Sequence, residues 1–132
     1  MAKVYQTSGT RKKAISRATL YEGKGVVRIN TVLLSSVEPL MSRQKLMEPL
    51  LLVGDAANGV DIDVHTMGGG INSQAEAGRV AIARALVAYD KKHEKAFLQY
   101  DRNMLVPDSR QKETRKPGNH GKARAQKPKG KR

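Results

Sequence analysis

A chain of 132 residues with 25 Lys or Arg against 12 Asp or Glu carries a net charge of +13, enough length for one modest core and a strong bias towards polyanions. It has no cysteine, which excludes disulfides and thiolate metal sites and suits a reducing cytosol. No apolar run reaches the roughly 18 residues that span a bilayer, and the opening Met1-Ala2-Lys3-Val4-Tyr5-Gln6 lacks the apolar stretch of a secretory signal. The expectation is a soluble cytoplasmic protein with no membrane partner.

Taken in chain order, residues 7–13 are polar and basic, ending in Arg11, Lys12 and Lys13. Residues 14–21 read as a strand, with Ala14, Ser16, Ala18 and Leu20 on one face and Ile15, Arg17, Thr19 and Tyr21 on the other. Residues 26–30 read as its hairpin partner, reversed through Gly23 and Gly25, with Val27 and Ile29 opposite Arg28 and Asn30. On this reading Arg17 and Arg28 extend a basic patch begun at Arg11.

Ser42 is the expected N-cap of a helix holding Leu46, Met47, Leu50 and Leu51. Pro49 within it removes a hydrogen bond and should kink or restart the helix. Residues 60–67 alternate Val60, Ile62, Val64 and Thr66 with Asp61, Asp63 and His65, the period of a half-buried strand. Gly68-Gly69-Gly70 follows, then a helix with Ser73 and Glu76 spaced as a capping box. Its apolar stripes are Val80, Ala83, Val87 and Ile82, Leu86, Tyr89. Residues 91–100 predict a further short helix anchored by Phe97. Strand, helix, strand, helix in this order predicts an α+β fold, a small mixed sheet with helices packed on one face, plus an extended basic C-terminal tail.

The division falls at residue 101. Residues 1–101 form the expected globular body at +4; residues 102–132 hold eleven Lys or Arg against Asp108 and Glu113, a net of +9. The last nineteen residues carry eight basic side chains, no acid and no aromatic. Such a segment buries too little apolar surface to offset its ordering entropy and takes a shape on a polyanion. Without aromatics it follows phosphates rather than stacking on bases. Candidate RNA-binding residues are Arg11, Lys12, Lys13, Arg17, Arg28, Arg102, Arg110, Lys112, Arg115, Lys116, Lys122, Arg124 and Lys127. A thin basic arm with small residues suits penetration between packed RNA helices.

Other chemistry finds little support. The triple glycine lacks the Lys-Ser/Thr of a P-loop and the third glycine of a dinucleotide fingerprint. Two readings of Gly68, Gly69 and Gly70 stay open: a turn needing positive φ, or a backbone contact to phosphate at a helix N-terminus. His65, His93 and His120 show no metal-ligand spacing, and Asp61 with Asp63 reads as a solvated strand face. No catalytic constellation is suggested and no cofactor is expected. The alternatives are a free nucleic-acid-binding or RNA-chaperone protein and, more remotely, a small phosphotransferase with a glycine-rich loop before a helix.

Five stretches in fixed order carry a resemblance. They are Gly9-Thr10-Arg11-Lys12-Lys13-Ala14, Gly68-Gly69-Gly70 with Gln74-Ala75, Ala81-Ile82-Ala83-Arg84-Ala85-Leu86, Asp108-Ser109-Arg110, and a basic terminus ending in Arg132. Together they resemble the family of small-subunit ribosomal protein number nine over essentially the whole chain. Glu48-Pro49-Leu50 and Tyr100-Asp101-Arg102 are closer to its archaeal and eukaryotic branch. The resemblance implies the fold of the second domain of small-subunit protein number five, with a left-handed βαβ crossover. It also implies a ribonucleoprotein role in translation: a place in the subunit head on small-subunit ribosomal RNA, among neighbouring ribosomal proteins. The tail would reach peptidyl-site tRNA, with Lys129, Lys131 and Arg132 at the contacting tip. Two positions depart from the family pattern. Ser73 stands where glycine is usual, and the chain ends Lys129-Gly130-Lys131-Arg132 without the usual hydroxyl or aromatic before the last arginine.

Overall fold

The computed structural model describes residues 3–37, 39–106, 109–111, 114 and 117. Five strands form one mixed sheet: β1 (Val4–Arg11), β2 (Ala14–Glu22), β3 (Val27–Ile29), β4 (Val32–Leu33) and β5 (Val60–Met67). Their spatial order is β1-β2-β5-β3-β4, antiparallel except for the parallel β3–β5 pair. Three helices accompany it: α1 (Leu40–Val53), α2 (Ile71–Tyr89) and α3 (Glu94–Tyr100). The predicted α+β class, with helices on one face of a mixed sheet, is what forms.

The alternation in β2 decides the core side. Ala14, Ser16, Ala18 and Leu20 are buried; so are Val60, Ile62, Val64 and Thr66 of β5, and Val27 and Ile29 of β3. Against this face lies α2, which buries Ala75, Ala77, Gly78, Val80, Ala81, Ile82, Ala83, Ala85 and Leu86. The small residues let the helix backbone approach the strands and α1. A Cβ at Gly78 would lie 2.7 Å from Leu46 Cδ2, so the glycine seats α1 against α2. A Cβ at Gly9 would lie 2.7 Å from the Ala81 nitrogen and 2.9 Å from Val80 Cβ, so β1 also approaches the helix backbone itself. Phe97 of α3 and Met104, in a 3-10 turn after it, are fully buried and close the core at the far end of α2.

Several local expectations are corrected. Residues 14–21 and 26–30 are not hairpin partners, because β5 lies between β2 and β3. Gly23 and Gly25 serve a different contact. The Asp61 carboxylate accepts from the backbone N–H groups of Lys24, Gly25 and Val26 at 2.9, 3.1 and 2.9 Å. A side chain at Gly23 would collide with that carboxylate. These donors, Val26 first, hold the Asp61 carboxyl below its ordinary value. The hairpin partner of β2 on its other side is β1, whose residues 7–11 show only a polar, basic pattern in sequence.

Ser42 is not an N-cap. Helix α1 starts at Leu40 with Pro39 at its N-cap, and Ser42 is buried within its first turn. The helix runs through Pro49, whose ring is buried in the core. The Ser73–Glu76 capping box does not form either: Gly70 caps α2 and no side chain bonds its first turn. Glu76 is engaged elsewhere, pairing with Arg11 and Lys45.

Candidate nucleic-acid interface

The β1–β2 hairpin turns through Lys12 and Lys13, with Arg11 paired to Ala14. Lys12 takes φ +55°, a left-handed conformation that L side chains adopt reluctantly. Both lysines are exposed. The turn rests on the glycine run after β5. Gly68 and Gly69 have φ of +76° and +64°, and a Cβ on Gly68 would lie 2.6 Å from the Lys13 carbonyl oxygen. The positive-φ reading of the run is therefore met at two of its three glycines, and the close approach excludes side chains. Gln74 ties the loop down, its Nε2 donating to the Gly68 carbonyl at 3.0 Å. Gly70, at the N-cap of α2, offers no capping side chain to the first amides of the helix.

The C-terminal segment arrives at the same end. Gln111 Nε2 donates to the Lys12 carbonyl at 3.2 Å. Arg110 lines a polar cleft of about 200 Å³ with Thr10, Arg11, Glu76, Arg79, Val80, Asp101 and Asn103. Arg102 is exposed in the 3-10 turn Arg102–Met104. Thus Lys12, Lys13, the Gly68–Gly69–Gly70 loop and Arg110 converge on one end of the body.

Arg11 behaves differently from its neighbours. Its guanidinium turns into the helix layer and Nε donates to Glu76 Oε2, leaving its side chain 17% exposed. Lys45 Nζ reaches the other Glu76 oxygen at 3.3 Å. Burial acts to raise the Glu76 pKa, but the hydrogen bonds from Arg11 and Lys45 outweigh it and hold the carboxyl below 4.5. Arg17 and Arg28 lie on the opposite, uncovered face of the sheet. They border an open depression of about 580 Å³ with Thr19, Asn30, Thr31, Asp63, Val64 and His65. The single patch expected from Arg11 to Arg28 is therefore two surfaces separated by the sheet. Alternation places Arg11 and Arg17 on opposite sides once β1 is a strand.

Sequence reasoning missed the residues that hold these surfaces in place. Asn30, at φ +50°, extends the sheet with its side chain: Nδ2 donates to Thr66 Oγ1 and Oδ1 accepts from the Thr66 N–H, both at 2.9 Å. Arg79 pairs with Glu48 at 2.8 Å and Asp101 at 3.2 Å, joining α2 to α1 and to the start of the C-terminal segment. Arg84 donates from Nε to the Leu105 carbonyl at 2.8 Å and from Nη1 to the Ser8 carbonyl at 2.9 Å. Arginines on the polar flank of an otherwise apolar helix were the available signal. Tyr21, the aromatic of the uncovered face of β2, donates its hydroxyl to Asp63 at 3.1 Å, which raises its pKa.

Among the described residues, no group of three or more His, Cys, Asp or Glu could hold a metal ion, and no helix is long and apolar enough to cross a membrane. Lys112, Arg115, Lys116, Lys122, Arg124, Lys127, Lys129, Lys131 and Arg132 lie outside the described residues.

The described residues form a small α+β body that brings a cationic turn, a glycine loop before a helix, and Arg110 to one end. Residues 9–132 match the model of the family described as ribosomal protein S9/S16. The chain is 48% identical over 121 residues to the small ribosomal subunit protein uS9 of Methanothrix thermoacetophila, covering 90% of this chain and 92% of the relative. It is 45% identical over 122 residues to that of Methanococcus maripaludis, covering 91% of each. The chain belongs to the ribosomal protein S9 family, a structural, non-enzymatic component of the small ribosomal subunit.

Proposed function

We propose that the body docks on small-subunit ribosomal RNA in the subunit head, through two surfaces, and that the C-terminal segment continues along phosphates to peptidyl-site tRNA. The observation that carries this reading is the convergence of Lys12, Lys13, the Gly68–Gly69–Gly70 loop and Arg110 at one end of the body. From there the sequence continues with eight basic residues and no acid in its last nineteen. A backbone crossing that end would meet two ammonium groups and the unshared amides of α2, with no side chain at the glycine loop to hold it off. Arg17 and Arg28 form the second docking surface. Arg11 contributes through Glu76 and the shape of the turn more than by direct contact, because its guanidinium is largely covered.

On this reading the domain division is functional: residues 1–101 place the protein and residues 102–132 reach. Lys112, Arg115, Lys116, Lys122, Arg124 and Lys127 track ribosomal RNA, while Lys129, Lys131 and Arg132 face tRNA. Neighbouring ribosomal proteins complete the surroundings.

The test is the salt dependence of binding to a small-subunit RNA fragment. If the last nineteen residues neutralise about eight phosphates, log affinity falls against log salt with a slope of roughly −5 to −7. Truncation after Glu113 should flatten that slope and leave the body folded. A slope near zero for the full chain would sink the reading.

A further inference from the structure

The C-terminal segment is fastened to the body before its basic run begins, and the fastening is concentrated on α2. Arg84 spans two elements that are far apart in sequence. One prong of its guanidinium takes the Leu105 carbonyl at 2.8 Å, and another takes the Ser8 carbonyl in β1 at 2.9 Å. Immediately before Leu105, Met104 is fully buried, which fixes how far along α2 the segment can slide. After it, Gln111 meets the Lys12 carbonyl in the hairpin turn, four residues after Ser8. The two described points, Leu105 joined through Arg84 to Ser8 and Gln111 joined to Lys12, follow one another in the direction of the hairpin turn. Arg84 is the group that fixes the first of those two points.

We propose that Arg84 is a positioning residue for the C-terminal segment: it fixes the bearing on which the basic run leaves the body, without itself touching RNA. The side chain is half-buried, and Nε and Nη1 each donate to a backbone carbonyl of the body or the segment. The planar fork is essential to the role, since it binds two carbonyls in one fixed geometry where an ammonium is a point donor. The functional half of this inference rests on the reading of the tail as an RNA-tracking arm; the structural half stands without it.

The experiment uses the full chain, which has no native cysteine, with Glu22→Cys and Ser109→Cys carrying nitroxide labels. Glu22 ends β2 at the opposite end from the hairpin turn, so the label pair reports the direction of the segment. With Arg84 in place the interlabel distance distribution is expected to be narrow. Arg84→Ala should broaden it at least twofold while the thermal midpoint of the body moves little. Arg84→Lys should give an intermediate width, and it decides the question if the alanine variant does not fold. An unchanged width in the folded variants overturns the inference. A second arm tethers a hydroxyl-radical source at Ser109→Cys in the complex with a small-subunit RNA fragment. Focused cleavage by the Arg84 protein should scatter in Arg84→Ala; the same focused sites in both would overturn the role in aiming the arm. A full chain with no salt slope for RNA would instead remove the tail reading, leaving the distance measurement to decide Arg84.

Discussion

Replacing Gly9 with alanine places one methyl group between β1 and α2, at a point where no side chain can yield. The new carbon would lie 2.7 Å from the Ala81 nitrogen and 2.9 Å from Val80 Cβ, and closer still to the Ala77 carbonyl oxygen. Ordinary contact begins near 3.4 Å, so strand and helix must part by the better part of an ångström. Overpacking of this kind costs about 1–3 kcal/mol. The separation also stretches the hydrogen bond from Thr7 Oγ1 to the Ala81 carbonyl, now 2.8 Å, for roughly another 1 kcal/mol. A total of about 2–4 kcal/mol corresponds to a fall in Tm on the order of 10–20 °C for a body this size. Thermal and urea unfolding of the full chain measure it, and RNA affinity should decline only as far as the folded fraction does. A variant as stable as the parent but deficient in RNA binding would refute the packing argument and make Gly9 a point of direct backbone approach.

The remaining predictions concern charge. Lys12→Gly relieves a left-handed residue and should leave the protein as stable or about 0.5–1 kcal/mol more so, while the salt slope for RNA falls by roughly 0.7–0.9 for the lost phosphate contact. Glu76→Gln loses the pairing with Arg11 and Lys45; since the folded carboxyl titrates below its ordinary 4.5, the stability it lends is present above that value and disappears as pH drops through the lowered one. Parent and variant should therefore differ in Tm near pH 7 and converge in strong acid; a gap that persists at acid pH would contradict this. Asp61→Ala deprives Lys24, Gly25 and Val26 of their shared acceptor, and their amide exchange should quicken while that of β1 is unchanged. Removal of Arg132 should weaken peptidyl-site tRNA by at most about 1 kcal/mol with subunit assembly intact, as expected of one exposed charge; tRNA affinity equal to the parent's would refute a contact at the tip.

Where hydrophobic alternation is strong the chain declares itself. Residues 60–67 form a strand with the bounds the pattern gives, and Val80, Ile82, Ala83 and Leu86 of the expected α2 stripes are buried, while Val87 is half-buried and Tyr89 exposed. The signal fails in β1, whose helix-facing positions are Tyr5, Thr7, Gly9 and Arg11. Its most deeply buried residue is a glycine, chosen for having no side chain and so invisible to a hydrophobic period. Topology fails for a related reason. Gly23 and Gly25 look like a hairpin reversal, but the bareness of Gly23 and the amide of Gly25 serve Asp61 on a strand that arrives some 35 residues later. Likewise the Ser73–Glu76 spacing has the form of a cap, yet Glu76 finds two cations from β1 and α1, partners that no local window contains. The candidate interface was legible as residue types; its division by the sheet became visible only once β1 was a strand.

The outer strands have a consequence for the protein before it meets RNA. A sheet with open sides invites pairing with another copy, and the hazard grows with the length of free backbone. Here β4 presents only two residues, and on β1 the Ser8 carbonyl is already occupied by Arg84. A newly synthesised chain thus has one edge too short to template a partner and one, eight residues long, interrupted at Ser8. The contact proposed to steer the C-terminal arm also occupies an edge carbonyl of the free protein.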